Sequence, residues 1–259
     1  MSATLPSEPV TIIGRLNPVT RLVALVTLVV VVFALPRWWV AALVLAVVVL
    51  PAAALAGTGP SLARIGARIL LPIVVVLTLV QGLTFPGGRT TLASWGPLTL
   101  TSEGLLFALD VGSRIVCVVL ASILLVLTTH PGELMTALTQ KGMSPRFSYI
   151  VSATLHLIPA FRDRATSILL AQQARGLVVP RNPLRRLGTM MPLIAPLVLG
   201  MFTDAAERGT AMEARRFGSP ARRTILEPVP DSTAQRIARW CLVAVAAAAV
   251  VVPVLVEAL

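Results

Sequence analysis

Ala171-Gln172-Gln173-Ala174-Arg175-Gly176-Leu177 and Ala211-Met212-Glu213-Ala214-Arg215-Arg216-Phe217 are two versions of one phrase, 40 residues apart counted from Arg175 to Arg215. Each closes a segment that opens in apolar residues and turns polar and strongly basic. In a chain that is otherwise mostly hydrocarbon, a block of this texture, from Phe161 to Gly218, does not belong in lipid. It reads as a pair of helices on the cytoplasmic side of a membrane, each presenting an arginine to a partner protein.

The rest of the chain supplies the membrane. Of 259 residues, 56% are hydrophobic and 13% charged, with a mean hydropathy of +0.87. Soluble domains carry roughly 25% charged residues. The deficit, with long uncharged runs, indicates an all-α polytopic membrane protein. A transmembrane barrel would alternate polar and apolar residues in segments of about ten, and these runs are continuous. Met1 to Gly14 is polar, contains proline and lacks a basic region ahead of an apolar core, so the first hydrophobic helix is expected to serve as an uncleaved anchor. Cys117 and Cys241 lie in separate apolar runs and make neither a disulfide framework nor a metal set.

About five spans are expected, in three regions: N-terminal transmembrane helices over 1–129, a cytoplasmic coupling region over 130–236, and a C-terminal transmembrane helix over 237–259. Asn17 is a natural N-cap with Pro18 at N1, and the apolar run Leu22–Leu35 follows. Trp38–Ala56 returns, its tryptophan pair suited to an interface. Gly57–Arg68 reads as a loop, Ile69–Phe85 as a third span and Pro86–Ser102 as an exposed loop. Glu103–Thr129 is a fourth span, interrupted by Asp110 and Arg114. These two lie four apart on one helical face and read first as a structural ion pair rather than a transport element.

Beyond His130 the pattern changes. Pro131–Lys141 predicts a short amphipathic helix with Gly142 past its end. Phe147–Phe161 is apolar, brief and holds Pro159. Arg162–Arg175 is helical in period, with Gly176 as its C′ residue. Pro180–Arg186 is a basic linker and Leu187–Gly200 an apolar stretch broken by Pro192 and Pro196. Met201–Arg215 is the second helix of the pair, and Trp240–Val256 the last span. Fifteen of the 22 basic residues lie between Thr129 and Arg239. With that block inside, the positive-inside rule puts the N-terminus in the cytoplasm and the C-terminus outside.

No active site is legible. Lys141 is the one lysine, between Gln140 and Gly142, so the chain lacks the G-x-x-x-x-G-K-[ST] loop that cradles nucleotide phosphates. His130 and His156 stand alone, and no cofactor or metal set is expected. A stand-alone channel or permease is the alternative reading. It calls for polar residues along several spans, whereas Gln81, Asp110 and Arg114 are the ones that qualify. A nucleic-acid binder would interleave aromatics with the arginines, and between 162 and 216 Phe202 is the sole aromatic.

One Ala-Arg-Gly is accounted for by helix-end chemistry, since arginine in the last turn suits the helix dipole and glycine closes the end. Two, ending successive helices of one basic block, ask for more. Together with Asn17-Pro18-Val19-Thr20-Arg21 and Leu157-Ile158-Pro159, they resemble the transmembrane (T) component of energy-coupling factor (ECF) transporters, the EcfT/CbiQ family. The resemblance implies a cell-membrane subunit of a prokaryotic vitamin or metal-ion importer. Its coupling helices would dock on two ATP-binding-cassette ATPases and transmit their motion to a membrane S component that binds the substrate. It carries the ATPase contact onto Ala174, Arg175 and Gly176 and onto Ala214, Arg215 and Arg216. The second copy departs from the pattern, with Arg216 where glycine is expected, and that leaves the shape of the second helix end open.

Overall fold

The computed structural model describes residues 14, 16–35, 37–86, 90–95, 98–178, 180, 183–217 and 229–258. It is all-α apart from one short hairpin, with four helices long and apolar enough to cross a membrane and a fifth, Pro18–Ala34, that is shorter. The chain divides into two compact units, one of residues 1–137 with 228–259, the other of residues 138–227.

In the first unit, α1 (Pro18–Ala34) begins as its sequence dictates. Asn17 Oδ1 accepts the Val19 amide at 3.0 Å and Pro18 occupies the first turn. A continuous apolar helix, Trp38–Leu55, follows. It consists of α2 (Trp38–Val44), a π-helical turn (Leu45–Val49) and α3 (Leu50–Leu55). The π turn sits just ahead of Pro51, whose ring has no N–H to give Val47 and would crowd its carbonyl; the wider turn relieves that clash. The next helix, α4 (Gly59–Thr84), starts ten residues before the expected Ile69. Pro60 sits in its first turn, and Leu62, Gly66 and Leu70 form a buried stripe. Arg64 and Arg68 lie on its exposed side rather than in a loop, their long stems leaving the charge free to reach water.

Within Pro86–Ser102, expected as a loop, β1 (Thr91–Trp95) pairs antiparallel with β2 (Leu98–Thr101), Trp95 facing Leu98, with an irregularity between Thr91 and Ala93. Threonine, leucine and tryptophan in near alternation suit strands. Thr101 then caps α5 (Ser102–Thr128), its Oγ1 accepting the Gly104 amide at 3.3 Å. α5 packs along α4, α1 and α2. The core between them contains Leu28, Val32, Ala41, Val49, Ala53, Leu62, Cys117 and Ala121. At Gly104 a Cβ would strike the Gln81 carbonyl and lie 2.9 Å from Phe85 Cβ, so glycine is what lets α5 approach α4.

The unit is closed by α9 (Thr233–Ala258), packed on α1. Arg239 makes a bidentate pair with Asp231, both contacts 2.9 Å, and donates to Thr20 Oγ1 at 2.9 Å. The Asn17 amide donates to Gln235 Oε1 at 2.9 Å. Arg21, buried, donates to the carbonyls of Gly14 and Leu16 at 2.8 Å each and to that of Thr128, tying the start of α1 to the end of α5. α6 (Pro131–Gln140) follows α5, and Gly142 lies past its end as expected, with φ +103°.

The second unit holds two long helices, α7 (Pro145–Ala174) and α8 (Pro183–Ala214). Each is continuous where its sequence suggested an interruption. α7 runs through Pro159, merging the segment Phe147–Phe161 with Arg162–Arg175. α8 runs through Pro192 and Pro196, merging the broken stretch with Met201–Arg215. A proline removes one backbone hydrogen bond and crowds one carbonyl, and helices of 30 and 32 residues retain the rest of their ladders.

Candidate functional site: two helices ended by arginine

α7 and α8 end alike. At α7 the Leu177 amide donates to the Gln172 carbonyl at 3.0 Å and the Gly176 amide to that of Gln173 at 2.9 Å. At α8 the Phe217 amide donates to Met212 and the Arg216 amide to Glu213, both at 2.9 Å. These are the crossed pairs of a Schellman motif, which satisfy the last carbonyls of a helix and require a left-handed residue at C′. Gly176 supplies it with φ +92°, and Arg216 supplies it with φ +52°. Arginine in place of glycine therefore leaves the cap geometry unchanged. Arg216 is the one non-glycine residue with positive φ among the described residues.

The motif fixes where the preceding arginine stands. Arg175 and Arg215 are the C-cap residues of their helices, where the chain turns away and the side chain projects from the helix end. Ala174, Arg175, Gly176, Ala214, Arg215 and Arg216 are all exposed. Among the described residues the guanidinium groups of Arg175, Arg215 and Arg216 have no hydrogen bond or ion pair within the chain. Two planar, permanently charged forks held at defined backbone positions with no internal partner are suited to bidentate contact with carboxylates or phosphates elsewhere.

α7 and α8 meet through a contact that sequence reading missed. Arg164 Nη1 donates to Asp204 Oδ2 at 2.6 Å. The signal was present, because these residues also stand 40 apart, the offset of the repeated phrase. Beside them a cleft of about 410 Å³ is lined by Tyr149, Leu157, Phe161, Arg208 and Met212 among others. Tyr149 also meets Phe217, their rings edge to face with centroids 5.0 Å apart.

The other sequence-derived pair belongs to the first unit. Arg114 bonds Asp110 one turn back on α5, with side-chain exposures of 17% and 23%. Asp110 Oδ1 and Arg114 Nε are buried without a partner. The pair thus belongs to a helix long and apolar enough to cross a membrane.

The fold and the paired helix ends define a multi-pass helical membrane protein whose polar unit displays two equivalent arginine tips. A family model described as cobalt transport protein, CbiQ, matches residues 9–225. The chain is 32% identical over 175 residues to the energy-coupling factor transporter transmembrane protein EcfT of Limosilactobacillus fermentum, covering 62% of this chain and 65% of that one. It is 28% identical over 216 residues to EcfT of Lactococcus lactis, covering 80% of each. With EcfT of Lacticaseibacillus paracasei it shares 30% identity over 215 residues, 79% of this chain and 80% of the relative. The chain belongs to the CbiQ/EcfT family, the transmembrane T components of ECF transporters.

Proposed function

We propose that this protein couples ATP hydrolysis by two cytoplasmic ATP-binding-cassette ATPases to a membrane S component that binds a vitamin or metal ion, and is itself not catalytic. The observation that carries the reading is the matched pair of helix ends. Arg175 and Arg215 occupy the same C-cap position in the same hydrogen-bonded motif, exposed and without a partner among the described residues. Two equivalent tips suit two equivalent grooves. An acidic groove receiving such an arginine gains charge-assisted, bidentate bonds, and deleting one partner of a desolvated pair costs about 2–5 kcal/mol.

The positive-inside distribution supports a cytoplasmic N-terminus and a cytoplasmic region over residues 130–236, on the side from which such ATPases would dock. The helices through which the tips are connected are long and stiff, about 45 Å for α7 at 1.5 Å per residue, so a displacement at one end is carried to the other without refolding. The test is purification of the tagged protein from native membranes with mass-spectrometric identification of what accompanies it. Two ATP-binding-cassette ATPases and a small hydrophobic subunit are the expected result. Recovery of this chain alone, with solute flux after reconstitution, would favour a channel.

A further inference from the structure

α7 and α8 touch through side chains that hold the same place in the two copies of the repeat. Arg164 and Asp204 are 40 residues apart and bonded at 2.6 Å. One turn before Asp204, a Cβ at Gly200 would lie 2.5 Å from Arg164 Nη2 and 2.6 Å from Cζ. The bare backbone there is what lets the guanidinium lie across α8. The Tyr149–Phe217 ring contact sets the relative direction: the first half of α7 lies along the second half of α8, so the helices run antiparallel. From Arg164 to Arg175 and from Asp204 to Arg215 is 11 residues in each case, about 16 Å of helix. The two arginine tips therefore lie on opposite sides of the Arg164–Asp204 contact and equally far from it, about 30 Å apart.

We infer that Arg164 and Asp204 are positioning residues: with Gly200 they form a pivot midway between the two tips, and this pivot sets the span between Arg175 and Arg215. The inference rests on the coupling reading for its purpose and goes beyond it in saying what fixes the geometry. A partner with two equivalent anchor points on either side of a two-fold axis needs two tips equidistant from one centre, and the ion pair marks that centre. Its two side chains are 44% and 41% exposed, and a pair so exposed adds little to stability. Its contribution is therefore to the angle and register of the helices rather than to folding. It can also open and re-form without unwinding either helix.

The test reads the span in the full-length protein in lipid nanodiscs, with no ATPase present. Spin labels are placed at Gln173→Cys and Glu213→Cys in a Cys241→Ser background, Cys117 being buried, and the distance distribution is recorded by double electron–electron resonance. The parent is expected to give one narrow peak near 30 Å, broadened by the reach of the labels. Arg164→Ala should broaden or shift it by several Å. So should Gly200→Ala, which displaces the guanidinium while keeping both charges and favours the helix. The exchanged pair Arg164→Asp with Asp204→Arg, made together with Ala160→Gly so that the guanidinium again meets bare backbone, should restore the narrow peak, which a general packing defect would not allow. A distribution unchanged by both Arg164→Ala and Gly200→Ala overturns the pivot. So does a failure of the exchanged pair to recover it. Because no ATPase is needed, a perturbed span in a protein that never binds ATPases would support the pivot and refute the coupling reading.

Discussion

Replacing Arg216 by glycine separates the backbone of the second helix end from its side chain. Arg216 holds φ +52°, a region that costs an L-residue with a Cβ roughly 1–2 kcal/mol. Glycine removes that strain but loses about 0.5–1 kcal/mol more backbone entropy on folding. The guanidinium has no bond within the chain among the described residues, so no intramolecular contact is lost. The balance for Arg216→Gly runs from near zero to about 1.5 kcal/mol of added stability at the helix end. The readout is hydrogen exchange at the amides of residues 216 and 217, which are bonded to Glu213 and Met212. At 1.4 kcal/mol per decade, exchange should be unchanged or slowed by up to about tenfold. Faster exchange at both amides would refute the reasoning, since it would mean that the arginine side chain, and not the backbone motif, holds the turn.

In α5, Arg114→Leu leaves the Asp110 carboxylate without its partner and should lower stability by about 3–5 kcal/mol, whereas Asp110→Leu with Arg114→Leu should return most of it; thermal unfolding in nanodiscs decides, and equal losses in both would show that one of the two has another partner. Gly104→Ala sets a methyl group against the Gln81 carbonyl and Phe85 and should cost about 1–3 kcal/mol through displacement of α5 from α4. The same melting experiment checks it, an unchanged midpoint counting against the close approach. Arg239→Met removes a bidentate partner from Asp231 and the donor to Thr20. It should loosen α9 from α1, seen as increased cross-linking between cysteines introduced in α9 and an external reagent, and Asp231→Asn in the same protein should reverse part of the effect.

The sequence displays what local chemistry decides. Asn17-Pro18 starts α1, Gly142 and Gly176 stop their helices, and Asp110 and Arg114 find each other at i, i+4. It was less legible wherever a rule had an exception set by neighbours. Pro159, Pro192 and Pro196 read as breaks, yet α7 and α8 continue through them because one lost hydrogen bond is small beside a ladder of about thirty. Arg64 and Arg68 read as loop residues because charge is rare in a span, yet they lie on the exposed side of α4 while Leu62, Gly66 and Leu70 face inward. The hairpin at Thr91–Thr101 was hidden by its Gly, Pro and Thr content. At the candidate site, the repeat announced Arg175 and Arg215. Residue type could not tell whether Arg216 would keep the left-handed C′ conformation. The Arg164–Asp204 contact required knowing that α7 and α8 meet at equivalent positions, which the 40-residue offset suggests only after the two helices have been seen together.

The central claim, that Arg175 and Arg215 are the points of attachment for two ATPases, is tested most directly by a binding constant. The protein in nanodiscs would be titrated with the ATPase pair recovered with it, for the parent, Arg175→Ala, Arg215→Ala and the double variant, with membrane insertion checked in each. The expected loss is about 2–5 kcal/mol for each arginine, a weakening of about 30-fold to several thousand-fold in Kd, with the double variant below detectable binding. A double variant that inserts normally and binds within twofold of the parent would contradict the account.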